Sequence, residues 1–343
     1  MRNLLIGFSL LMLAPSATAA TASTSLRDEA KGYREEGLKS QRYGDLEEAV
    51  TWYQKAAHLD AAFAVPHNDL GVVYERQGHA ALALQSYEQA LTIDPNYLEA
   101  SANLGSLYKR LGRFTYALPR LTKAAVLFEQ RGDLPTAQRL YQEVLEIRPD
   151  HLEALSGLAG IFERQGERDQ AVAMWLRVAM LYEQRAQFEA AKAAYERAVA
   201  MDATSVDAVT NLASLYQRTG KRDLAVLYWL KAGELHERRG DLQTARHYYE
   251  RALKLNPNSA ETLANLAVVS EQLGDRRQAV AYWTTCRQLS SPTDPWRLRA
   301  EERLVELGVI KAGSAYRRHV VEQEFQTNIQ TGRQFHHVTQ ERW

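Results

Sequence analysis

The sequence contains a single cysteine, Cys286. No disulfide can form within the chain, so its stability has to come from packing. It has no charge excess, with 42 basic against 42 acidic side chains, and therefore lacks the basic surface that nucleic acid phosphates or an anionic bilayer require. Also missing are a glycine-rich phosphate loop between strand and helix, a serine elbow, and paired histidines at helical spacing around a glutamate. His319, His336 and His337 have no carboxylate or thiolate cluster beside them, so they do not make a metal set. These absences predict a chain that is not an enzyme and holds no metal or cofactor. The apolar run from Leu4 to Ala14 is shorter than the about 20 residues of a membrane span. It follows Met1-Arg2-Asn3 and precedes Pro15-Ser16-Ala17-Thr18-Ala19, the three parts of a secretory signal peptide with cleavage after Ala19. Residues 1–19 are thus expected to be removed, leaving a soluble periplasmic chain with no membrane span and no partner among nucleic acids.

What the sequence does contain is enough apolar material to fold, with 45% hydrophobic and 24% charged residues in 343. It also contains a repeat. Residues 64–97 carry His67, Leu70, Gly71 and Tyr74, then Gly78, then Ala83, Tyr87, Ala90 and Pro95. Leu70, Gly71 and Tyr74 fall on one face of a first helix, and Ala83, Tyr87 and Ala90 on one face of a second. Gly71 and Ala83 are small where the two backbones approach, and Tyr87 fills the space they leave. Gly78 closes the first helix, and Asp94-Pro95 closes the second because a residue before proline is pushed out of helical geometry.

The closing glycine serves as a ruler along the chain. It recurs at Gly44, Gly78, Gly112, Gly132, Gly166, Gly220, Gly240 and Gly274, with Ala186 in one place, at steps of 34, 34, 20, 34, 20, 34, 20 and 34. Residues 98–151, 152–205 and 206–259 align without a gap, and Trp175, Trp229 and Trp283 follow one another at 54-residue intervals. A step of 20 arises when one helix completes the preceding hairpin and opens the next. Each 54-residue unit is therefore expected to hold three helices, with residues 222–238 forming the long middle helix of the third unit.

The pattern of a large residue, Leu-Gly, Tyr, then Ala, an aromatic and Pro resembles the tetratricopeptide repeat, over about residues 26–290. The resemblance implies an all-α solenoid superhelix of 34-residue repeats that includes the three 54-residue, three-helix super-repeats. Its expected parts are N-terminal repeats over 26–97, the three units over 98–259, a last repeat with a capping helix over 260–307, and a tail over 308–343. In the cap, Leu298 and Leu304 are expected to face inward. The tail's weak periodicity predicts a partly disordered terminus, with Phe325, Phe335 and Trp343 as aromatic anchors.

Members of the family are typically scaffolds that bind peptides or proteins, and exported bacterial members often assist envelope assembly. A variant grips a terminal carboxylate with lysine, arginine and asparagine on successive first helices. Asn103, Asn211 and Asn265 match one asparagine of that clamp, whereas Leu38, Val72, Ser106 and Val268 replace the other. The residues expected to face a protein or peptide partner are these three asparagines together with Glu75, Arg76, Lys109, Arg110, Glu163, Arg164, Gln217 and Arg218, on the polar side of the first helices. The alternative function is binding of a polymer or glycan during envelope polysaccharide export, which calls for an exposed row of aromatics. Cys286 stands where other repeats have Ala56, Ala90 and Ala252, which marks it as a packing residue.

Overall fold

A computed structural model describes residues 17–311. The expected signal peptide up to residue 16 and the tail from residue 312, including its histidines and aromatic anchors, lie outside the described residues. The described residues form sixteen α-helices and no strand. They divide into two compact units, one ending at Ile161 and the other starting at Phe162.

The first unit holds α1 (Ala17–Tyr43), α2 (Leu46–Leu59), α3 (Ala64–Arg76), α4 (Ala80–Ile93), α5 (Leu98–Arg110), α6 (Phe114–Gln130), α7 (Leu134–Ile147) and most of α8 (Leu152–Gln165). The second holds the end of α8, then α9 (Arg168–Gln184), α10 (Phe188–Met201), α11 (Val206–Arg218), α12 (Arg222–Arg238), α13 (Leu242–Leu255), α14 (Ala260–Gln272), α15 (Arg276–Leu289) and α16 (Pro295–Glu306). Three 17-residue helices, α6, α9 and α12, stand among neighbours of 13 or 14 residues. The bounds of α12 are those read from the sequence.

The helix ends follow from local chemistry. After α3 the chain turns at Gly78, whose φ is +80°. The turn lets His79 N–H reach the Tyr74 carbonyl at 2.8 Å and Gly78 N–H reach that of Glu75 at 3.0 Å, which satisfies carbonyls that the helix leaves open. Ala186 closes α9 in the same left-handed region, at φ +56°, and is the only described residue other than glycine to do so. Asp45, Asp133, Ser205, Asp241, Ser259 and Asp275 cap helix N-termini through their side chains, each satisfying an N–H that has no helical acceptor.

The hairpins lock through a small residue against an aromatic one. A Cβ added at Gly71 would run into the ring of Tyr87, at Gly37 into that of Tyr53, and at Gly233 into that of Tyr249. Tyr53, Tyr249, Ala83 and Ala90 are buried completely. At the C-terminal end, Trp283 and Cys286 pack with Leu263, Ala264, Ala300 and Leu304. Ala300, rather than Leu298, is the inward partner of Leu304. The two lie one helical turn apart, while Leu298 is only half-buried. Burial pushes the Cys286 thiol above its ordinary value, as befits a packing residue.

Candidate functional site

In the first unit α5 touches both α3 and α7, and the three helices bound a groove of about 440 Å³. Val72 and Glu75 of α3 line it, with Asn103, Ser106, Lys109 and Arg110 of α5 and Arg139 and Glu143 of α7. These positions follow one another every three or four residues along α5, which puts them on one face. Four of the residues singled out by sequence, Glu75, Asn103, Lys109 and Arg110, therefore meet in one place.

Most of their charge is spent internally. Arg110 pairs with Glu75, Arg139 pairs with Glu143, and Lys109 pairs with Glu146 and lies 3.8 Å from Glu143. The Asn103 amide donates to Asn68 Oδ1 at 2.9 Å. Asn68 is itself buried and bonded to Asp69, which pairs with Arg34 at 2.5 Å. Burial pushes the Asp69 carboxyl above its ordinary value even with Arg34 beside it. Ser106 Oγ is buried in the groove with no hydrogen-bond partner. Arg76 is exposed and does not line the groove. Asn68, Arg139 and Glu143 escaped the sequence reading, and Ser106 entered it only as a replaced clamp asparagine, because their role depends on which helices stand side by side.

In the second unit the singled-out residues are again mostly engaged. Gln217 accepts from Trp229 Nε1 at 3.0 Å and from Arg251 Nη2 at 3.4 Å, and the Arg251 guanidinium lies 3.7 Å over the Trp229 ring. Arg218 pairs with Glu183 and lies 5.3 Å over the ring of Phe188. Glu163 and Arg164 are exposed at the end of α8, and Asn211 and Asn265 are half-buried. Where α5 has Asn103, α8 has Gly157, and a Cβ there would meet the ring of Tyr141.

A recurrent bond explains why charged residues cluster at these helix ends. An aromatic of one helix donates to a Glu or Gln twelve residues earlier: Tyr53 to Gln41, Tyr141 to Glu129, Tyr195 to Glu183, Tyr249 to Glu237 and Trp283 to Glu271, at 2.5 to 2.9 Å. Two of the acceptors, Glu183 and Glu271, also hold an arginine from further along, namely Arg218 and Arg303, and Glu75, at the same spacing from its helix end, holds Arg110. Burial alone would raise the Glu271 pKa, but Arg303 and Trp283 outweigh it and hold the carboxyl below its ordinary value. The fixed spacing of 12 was visible in the sequence and could have marked these residues as structural.

Among the described residues no three His, Cys, Asp or Glu side chains gather as metal ligands, and no helix is long and apolar enough to cross a membrane. Trp175, Trp229 and Trp283 are 7%, 1% and 0% exposed, so they form no open aromatic row. Family models described as TPR repeat or tetratricopeptide repeat match residues 43–78, 81–112, 128–187, 172–205 and 226–269.

The chain belongs to the tetratricopeptide repeat family.

Among curated relatives, tetratricopeptide repeat protein 8 of Caenorhabditis elegans is 26% identical over 186 residues, which are 45% of this chain and 37% of that protein. This tetratricopeptide chain thus matches well under half the length of that relative. Solved structures with similar repeats include the P58(IPK) TPR domain, at 13% identity over 82% of this chain and all of that one, with a TM-score of 0.28. Another is MamA from Desulfovibrio magneticus, at 18% identity over 67% and 96% and a TM-score of 0.27. A third is the first TPR of Spaghetti (RPAP3) bound to an HSP90 peptide, at 22% identity over 40% and 97% and a TM-score of 0.26.

Proposed function

We propose that this tetratricopeptide protein is a non-enzymatic scaffold that binds a polypeptide along the α3–α5–α7 groove, and that it acts in the periplasm in the assembly of an envelope complex. The observation that carries the reading is the state of the groove wall. Its cations and carboxylates are paired to each other, while Ser106 Oγ and Asn103 Oδ1 have no donor or acceptor among the described residues. A neutralised wall with unspent hydroxyl and amide groups suits the N–H and C=O groups of an extended backbone. It offers no nucleophile beside a base. The signal-like residues 1–19 support export.

The test places a photocrosslinking amino acid at Ser106 in cells of an exporting host, with the same residue at Tyr43, which is 90% exposed, as the control. Polypeptide adducts at position 106 that are absent at position 43 are expected. Equal labelling at both, or none at either, overturns the groove. Sequencing the N-terminus of the exported protein is expected to find Ala20 first, and a chain retained with Met1 in the cytoplasm overturns the location.

A further inference from the structure

A larger cavity of the first unit lies outside that groove. It runs along α6, encloses about 680 Å³, and closes against the turn between α7 and α8 at Arg148, His151 and Glu153. Its wall is apolar, built by Phe114, Leu118, Val126 and Leu127. Phe114 is 49% exposed, and its counterparts in α9 and α12 are Arg168 and Arg222.

Thr122 lies in this wall, 7% exposed, and its hydroxyl has no partner. Threonines elsewhere in the helices, such as Thr92, Thr210 and Thr284, return their hydroxyl to the carbonyl four residues back, at 2.7 to 2.8 Å. The Thr122 hydroxyl does not, although leaving a buried hydroxyl without a hydrogen bond is unfavourable. One turn earlier stands Pro119, inside the helix. It has no N–H to give the carbonyl of Thr115, which also lines the cavity. The same two registers are Ala173 and Leu176 in α9, and Leu227 and Leu230 in α12. Of the three 54-residue units, the first alone has exchanged apolar helix formers for a buried hydroxyl and a carbonyl without its usual helical donor.

The rim carries Lys123 and Arg148, neither in an ion pair among the described residues, and one carboxylate, Glu153. Lys123 and Leu127 also border a second cavity, of about 340 Å³, that opens toward the Pro95–Leu98 turn. The two depressions therefore meet across α6, and together they offer a track longer than one side chain.

We propose that this cavity is a second binding site, for an extended polypeptide segment in which apolar side chains are flanked by carboxylates. The apolar side chain fills the space between Leu118 and Leu127. Lys123 and Arg148 take the flanking carboxylates. The Thr122 hydroxyl and the Thr115 carbonyl pair with the segment's backbone. The inference rests on the reading that the protein holds polypeptides, and it assigns one of them by chemistry to a face outside the α3–α5–α7 groove.

The probe is a fluorescein-labelled hexapeptide with a Leu-Phe pair between two glutamates on each side, titrated into the full chain by anisotropy. A counterpart with lysines in place of the glutamates is titrated alongside. Thr122→Leu restores the residue of the other two units, so it is expected to fold with an unchanged or higher melting temperature while weakening the acidic peptide by about tenfold or more. Joint charge reversal, Lys123→Glu with Arg148→Glu, is expected to abolish binding, and crosslinking at Ser106 is expected to persist in both variants. No binding of the acidic peptide at about 1 mM, equal binding of the lysine peptide, or a dissociation constant that Thr122→Leu leaves within about twofold overturns the site. None of these outcomes touches the groove, whose own test is the Ser106 adduct.

Discussion

The long helices α6 and α12 hold the same register in the first and third of the three 54-residue units and solve one packing problem with different chemistry. In the first unit the slot is filled by Leu121, which has no polar atom, and its neighbours Lys109 and Glu143 face each other as opposite charges. In the third unit the slot is filled by Trp229, whose Nε1 needs an acceptor and finds Gln217, and whose ring carries Arg251. The three positions change as a set because each residue's partner is one of the other two. The middle unit is incomplete. Arg197 lies 4.6 Å over the Trp175 ring, yet Trp175 Nε1 has no acceptor, although Glu163 stands where Gln217 does. A polar residue at the end of a first helix is thus a structural clasp in one unit and a plain surface group in another.

The largest expected effect separates the two slots directly. Trp229→Ala should cost about 3–5 kcal/mol and Leu121→Ala a little less, read by hydrogen exchange of the local helices, because repeat arrays open locally. Equal protection loss in both would mean that the tryptophan slot is no more than a filled volume. The clasp itself is tested next. Gln217→Ala strands a buried indole N–H and should cost about 1–3 kcal/mol, whereas Glu163→Ala should fall within about 0.5 kcal/mol of wild type. Denaturant midpoints that shift equally for both would remove the distinction between the units.

The turn that closes α9 offers a gain. Ala186 occupies the left-handed conformation that Gly132 and Gly240 hold in the neighbouring units, a conformation that costs a Cβ-bearing residue roughly 1–2 kcal/mol. Ala186→Gly should stabilise the protein by about 1 kcal/mol after the glycine's extra chain entropy is subtracted, measured as a rise in melting temperature. A fall would show the turn to be unstrained.

The smallest effect concerns acid, and it has opposite signs at the two ends of the chain. Glu271 is held below its ordinary value, so its stabilisation is complete above the unfolded value of about 4.3 and is lost as pH falls through the folded one. Asp69 is held above its ordinary value, so its ionised form costs stability at neutral pH, and that cost is relieved as pH falls through the folded value toward about 3.9. Urea midpoints between about pH 3 and 6 should lose part of their acid decline in Glu271→Gln and show a steeper one in Asp69→Asn. The same slope in both variants would contradict the assignment.

The helices were legible in the amino-acid order because their signals are local. Small and aromatic residues at helical spacing, closing glycines and aspartate caps act within a few residues of where they stand, and a slot such as that of Trp283 or Cys286 can be named without coordinates. The neighbourhood of Asn103, Lys109 and Arg110 was legible for the same reason, since all three lie on the polar face of one helix. What those residues do was decided only by tertiary contact. Arg110 reaches Glu75 and Lys109 reaches Glu146 from helices that sequence distance keeps apart, so a face that reads as free charge is largely neutralised. The vacancy beside Thr122 is equally invisible in one dimension, because an unspent hydroxyl is defined by everything that fails to touch it.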